Sequence, residues 1–201
     1  KVFETIGKDK SIEIYEFLLN YNDFFGISTE FFSKLKDIIQ KKVENDNILI
    51  ITPTLNDLLE DKSTKIIVSC DNDDKDMNQT HVKEVLSGYK NVKVFWGDNK
   101  SKIEAINANI EGEVFDIILL ASDDMIPVEK GYDKIIKNKM NKYYPDTDGV
   151  LWFNDGYQKE KLNTLCILGK KYYNRFNYIY YPKYISVWCD NEFMDVANIL
   201  K

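Results

Sequence analysis

The chain has 201 residues, 44% of them hydrophobic and 30% charged, with a formal net charge of -6 at neutral pH. That length and apolar content suffice to bury the core of one ordinary domain with a modest extension. The negative balance excludes a partner held by a general phosphate-attracting field, so no nucleic acid is expected and any anion site must be local.

No apolar run approaches the roughly 18 residues that a membrane span requires, and no signal-peptide pattern is present, so a cytoplasmic protein without a membrane span is expected. The first residue is Lys1, not methionine, which suggests a fragment or a processed form. Cys70, Cys166 and Cys189 are widely spaced and odd in number, as expected of reduced thiols that serve packing. His81 lies in a polar stretch and reads as a surface imidazole, because a single histidine makes no histidine-rich metal site.

In chain order, residues 1–46 form an expected helical extension. Ile14, Phe17, Leu18 and Tyr21 recur at helical spacing, as do Phe31, Phe32, Leu35, Ile38 and Ile39 behind the capping candidates Ser28 and Thr29. From residue 47 strands and helices alternate, the pattern of an α/β domain with a mostly parallel sheet over 47–201. The spacing predicts strands at 48–52, 65–70, 92–96, 115–120 and 149–153. Ile103, Ile106 and Ile110 mark one helix, Tyr132, Ile135, Ile136 and Met140 another, and Phe193, Val196, Ala197 and Leu200 a last one. Only about a dozen residues join the first two strands, near the minimum for a parallel crossover, so any helix over 55–61 must be short.

Polar residues gather after successive strands, where open α/β sheets place their ligand crevice. Thr52-Pro53-Thr54 follows the first strand and Asp71-Asn72-Asp73-Asp74 the second. Gly97-Asp98-Asn99-Lys100-Ser101-Lys102 follows the third, and Ser122-Asp123-Asp124 the fourth. Asp123 and Asp124 either cap a turn or supply hard oxygen ligands to Mg²⁺ or Mn²⁺. The acids from Asp71 to Asp74 either form a solvated turn or present Asp71 to a base or ribose. Lys102 is either simply exposed or sits beside a diphosphate at a helix start. Asn107 faces the crevice or the solvent. Asp190 is a natural N-cap for the last helix, with general base as its competing role.

Taken in order, these pieces resemble a family 2-type glycosyltransferase of the Rossmann-like GT-A fold. The resemblance runs over about 47–201: the first two strands with Thr52-Pro53-Thr54 and Asp71, the segment from Gly97 to Asn107, the acidic stretch from Leu119 to Pro127, and Asp190-Asn191-Glu192. It implies a metal-dependent enzyme that moves a sugar from a nucleoside diphosphate sugar donor to a glycan, protein or small-molecule acceptor hydroxyl, with inversion. Pro53, Thr54 and Asp71 would border the nucleoside, Lys102 the phosphates, Asp123 and Asp124 the Mn²⁺ or Mg²⁺, and Asp190 or Glu192 would be the base. Ala121 stands where many members carry the first acid of an Asp-x-Asp motif, so the implied metal rests on Asp123 and Asp124. The chain stops soon after Asp190, so elements that usually shape the acceptor site would be missing.

A nucleotidyltransferase is disfavoured because Pro53-Thr54-Leu55-Asn56 has no glycine to cradle a triphosphate. The alternative is a non-catalytic nucleotide-sugar or glycan-binding module, in which tyrosines between Tyr172 and Tyr181 stack on a sugar; packing explains most such rings.

Overall fold

The computed structural model describes residues 3–5, 55–122, 125–155, 158 and 161–200. In chain order the elements are β1 (Phe3–Thr5), β2 (Ile66–Asp71), α1 (Thr80–Ser87), β3 (Val92–Gly97), α2 (Lys102–Ala108), β4 (Ile117–Leu119) and β5 (Met125–Pro127). They continue with α3 (Tyr132–Tyr143), β6 (Val150–Leu151), β7 (Ile167–Gly169), α4 (Lys170–Tyr173) and α5 (Cys189–Ile199). The expected strand at 48–52 and the two amphipathic N-terminal helices lie outside the described residues. What is described of the expected helical extension is a strand, β1, which pairs antiparallel with β5. Residues 55–58 are helical, and the expected first strand that would open the first crossover lies outside the described residues.

The protein is a mixed α/β structure. β2 and β3 pair in parallel from Ile66↔Val92 to Asp71↔Gly97. Alternation along β2 sends Val68 and Cys70 inward, where they meet Met77 and the i, i+4 pair Val82 and Leu86 of α1. Burial of each large side chain there contributes about 1.5–3 kcal/mol. His81, on the same helix, is exposed as expected.

The expectation of one mostly parallel sheet requires correction. Among the described residues parallel pairing is confined to β2 and β3, and the other main sheet has the order β4-β7-β6 with β7 antiparallel to both neighbours. The segment feeding β7 is buried on both faces. Leu165 and Ile167 pack into a core with the α3 stripe Tyr132, Ile136 and Met140. Cys166 and Leu168 pack into a second core with Ile103, Phe193 and three tyrosines. Such a strand fits between two others in either direction, and the period-2 pattern carries no information about which.

The far end of β7 depends on close backbone approach. Gly169 donates to the Gly149 carbonyl at 3.0 Å, while Thr147, itself at φ 60°, receives the Tyr172 amide on its carbonyl. A Cβ at Gly169 would collide with the Thr147 carbonyl, which is backbone and cannot swing aside. Gly169→Ala should therefore destabilise the fold by about 1–3 kcal/mol, read as a lower urea midpoint at unchanged slope.

Candidate functional site

The strand ends carry the site candidates. Asp71 closes β2 opposite Gly97, the last residue of β3. Its Oδ1 accepts a hydrogen bond from Asn99 Nδ2 at 2.8 Å, and the next pair along, Asn72 and Asp98, repeats the contact at 2.9 Å. Asn78 braces the loop by donating to the carbonyls of Asp71, Asn72 and Asp74. Asp74 takes the bland reading: its carboxylate accepts the amides of Asp76 and Met77 and shapes the turn. Asp71 is thus a half-buried carboxylate held between two strand ends, with amide groups around it that suit a ribose or base edge.

Lys102 opens α2, and its side chain is exposed. The helix start caps itself: Ser101 Oγ accepts the Glu104 amide at 3.1 Å, and Glu104 Oε2 accepts the Lys100 amide at 2.8 Å. With these amides taken and a carboxylate in the first turn, attraction for a phosphate rests on the Lys102 ammonium and not on the helix end. The neighbouring Ile103 is fully buried in the same core as Cys189, and the Lys102 charge favours the Cys189 thiolate, although burial, first, and Asp190 push that thiol up. The first turns of α2 and α5 thus contribute Ile103 and Cys189 to one core.

At α5 the N-cap expectation fails. Trp188, at φ 71°, takes the cap position, and Asp190 is the second helical residue, its Oδ1 receiving the Asn191 amide. A bulky side chain in the left-handed region costs about 1–2 kcal/mol. Trp188 accepts that geometry while 67% exposed, beside the equally exposed Ile185 and Val187. The two acids look different ways, roughly 200° apart around the helix. The Asp190 charge acts on Cys166, Tyr180 and Cys189, and that of Glu192 on Tyr172 and Tyr178. Burial, then Asp195, raises the Glu192 carboxyl above its ordinary value.

The β4 end reaches the same neighbourhood, since the Leu120 amide donates to the Cys166 carbonyl at 3.0 Å. Asp123 and Asp124 follow two residues beyond Ala121 and, like Pro53 and Thr54, lie outside the described residues. Among the described residues no three His, Cys, Asp or Glu side chains gather as a metal cluster. All three cysteines are buried free thiols, as expected, and burial pushes Cys166 up to about 12.

Two polar residues had another role than the sequence suggested, or were passed over. Asn107 faces neither crevice nor solvent: Nδ2 donates to the Tyr180 carbonyl at 2.7 Å, and Oδ1 accepts the amides of Ile179 and Tyr180 at 2.8 and 3.3 Å. Asp155, beyond the end of β6, is a 5% exposed carboxylate that accepts from Thr164 Oγ1 and the Gln158 amide. The rule that flagged polar residues after the other strands applies equally to Asn154 and Asp155. Of the five tyrosines considered for stacking, Tyr172, Tyr173 and Tyr180 are buried in the core.

No family model, curated protein or solved structure matches the chain.

Asn107→Ala removes three hydrogen bonds that fasten 179–180, the segment leading to Trp188 and Asp190. A loss of about 2 kcal/mol by chemical denaturation is expected, with faster amide exchange at Ile179 and Tyr180.

Proposed function

We propose that the protein is a metal-dependent, inverting glycosyltransferase acting on a nucleoside diphosphate sugar and an acceptor hydroxyl. The observation that carries this reading is the polar end of β2 and β3, where Asn99 holds Asp71 and Lys102 opens the next helix, together with the one core that takes in the first turns of α2 and of α5, on which Asp190 lies. A nucleoside-binding carboxylate, a phosphate-pairing ammonium and a base are what sugar transfer from such a donor requires.

In this scheme Asp71, held by Asn99, orients the nucleoside together with Pro53 and Thr54, and Lys102 pairs with the diphosphate. Asp123 and Asp124 fit Mn²⁺ or Mg²⁺ by their chemistry, as adjacent hard oxygen donors. The bound cation would supply positive charge to the leaving diphosphate. Asp190 removes the acceptor hydroxyl proton as that oxygen bonds to the anomeric carbon; the bond from carbon to diphosphate oxygen breaks on the opposite face, and the configuration inverts. We favour Asp190 over Glu192 as base because Asp190 acts on the side shared with Lys102, whereas Glu192 acts on Tyr172 and Tyr178. The exposed Trp188 ring, one turn from Asp190 at most, offers the acceptor an apolar face.

Melting curves with Mn²⁺ and each common nucleoside diphosphate should show a rise of several degrees for the cognate one. Asp123→Ala combined with Asp124→Ala should abolish it. In a nucleotide-sugar hydrolysis assay, Asp190→Asn should slow turnover by about 10²–10⁴, with Glu192→Gln changing it far less. No metal-dependent shift with any nucleotide overturns the transferase reading, and a shift without turnover selects the non-catalytic binding module.

A further inference from the structure

A cleft of about 80 Å³ opens on the side of β6, bounded by Val150 and Trp152, by Asn163, by Tyr172 and Arg175, and by the second half of α5. It is separate from the strand-end crevice, because Ala197 and Asn198 lie about 11 Å along α5 from Asp190 by helix rise. Two of its lining residues carry a buried polar atom with no hydrogen-bond partner among the described residues: Asn163 Oδ1, on a residue 2% exposed, and the hydroxyl of Tyr172, on a residue 5% exposed. An unpaired buried polar atom costs about 1–3 kcal/mol, and two on residues that line one cleft are hydrogen-bonding capacity that the fold itself does not use.

The charges in the lining cancel. Arg175 grips Asp148 through two hydrogen bonds, Nε to Oδ1 at 2.8 Å and an outer nitrogen to Oδ2 at 2.7 Å. Arg175, then Lys171, holds the Asp148 carboxyl below its ordinary value, so the pair stays ionised and neutral overall at physiological pH. An anion would meet Asp148 and a cation Arg175, so neither is selected. What is left to satisfy is an acceptor and a hydroxyl, beside the indole of Trp152, which is 36% exposed. A neutral molecule with adjacent hydroxyls and an apolar ring face meets all three demands. The volume takes a hydroxymethyl group or a pair of hydroxyls; a whole ring needs nearer 150 Å³, about the size of a cavity that holds benzene.

We propose that this cleft is a second, neutral-saccharide subsite, in which a sugar edge inserts its hydroxyls onto Asn163 and Tyr172 while the ring rests against Trp152. It binds without metal or nucleotide and does not depend on the transferase reading.

Glucose, galactose and N-acetylglucosamine, each titrated into metal-free protein labelled with ¹⁵N, should give saturable amide shifts at 148–152 and 194–200 for at least one of them. Tyr172→Phe should weaken that binding about 3- to 10-fold with the melting temperature unchanged or raised, since the hydroxyl has no partner to lose and its burial costs stability. Asn163→Leu should weaken it similarly, and Asp190→Asn should leave it intact even if it abolishes turnover. The proposal is overturned if no sugar gives saturable shifts at tens of millimolar, or if glycerol binds as well as the sugars. It is equally overturned if neither cleft variant alters the affinity, or if the shifts centre on Asp71, Lys102 and Asp190.

Discussion

The segment 165–169 passes between two strands and between two cores, and the remaining packing is arranged around that constraint. Leu165, Cys166, Ile167 and Leu168 are at most 2% exposed, and alternate members belong to opposite cores. β4 and β6 take up its backbone groups on both edges, so it has no solvent-facing side at which to slip. One core fixes α3 and the turn at 55–58; the other fixes the starts of α2 and α5. Lys102 and Asp190 are each tied to that second core through a sequence neighbour, Ile103 and Cys189. The arrangement of the polar crevice is thus a consequence of burial, with no attraction between its charges needed to assemble it.

Uncharged amides do much of the fastening around that crevice. Asn78 gathers three carbonyls of its own loop, and Asn99 bridges to Asp71. Asn107 secures 179–180, and Asn109 reaches Ser69 Oγ at 2.8 Å. An amide both donates and accepts, and it joins segments without adding to a net charge already at -6. Carboxylates in those positions would repel one another and any phosphate brought near them.

Local pattern was a good guide to where strands and helices lie and a poor guide to how they combine. β4 and β6 fall within the expected segments and β2 and β3 run one residue past theirs, because β-branched runs bounded by polar clusters identify a strand whatever its neighbours. β7 was not anticipated, since its short apolar run passes directly into α4 with no turn signal between them. α1 was passed over because a polar surface surrounds its few apolar positions. At the site, the burial of the cysteines was legible from residue type alone. The bond from Asn107 to Tyr180 was not, because the partner is remote in sequence and an isolated asparagine looks the same wherever it points. Trp188 at the cap of α5 ran against the preference for Asp190, and its unfavourable backbone angle is the sort of local conflict that concentrates near working surfaces.

The pairing of β1 with β5 bears on how the molecule forms. Phe3 stands opposite Pro127, and Thr5 opposite Met125, the residue that follows the acidic pair. The chain between them is the longest enclosed by any strand pairing among the described residues, so this short ladder carries the largest loop-closure entropy of them. A ribosome would release Phe3 long before its partner exists. Closure of β5, Met125–Pro127, on β1 is therefore expected to lag behind the two cores that surround β7.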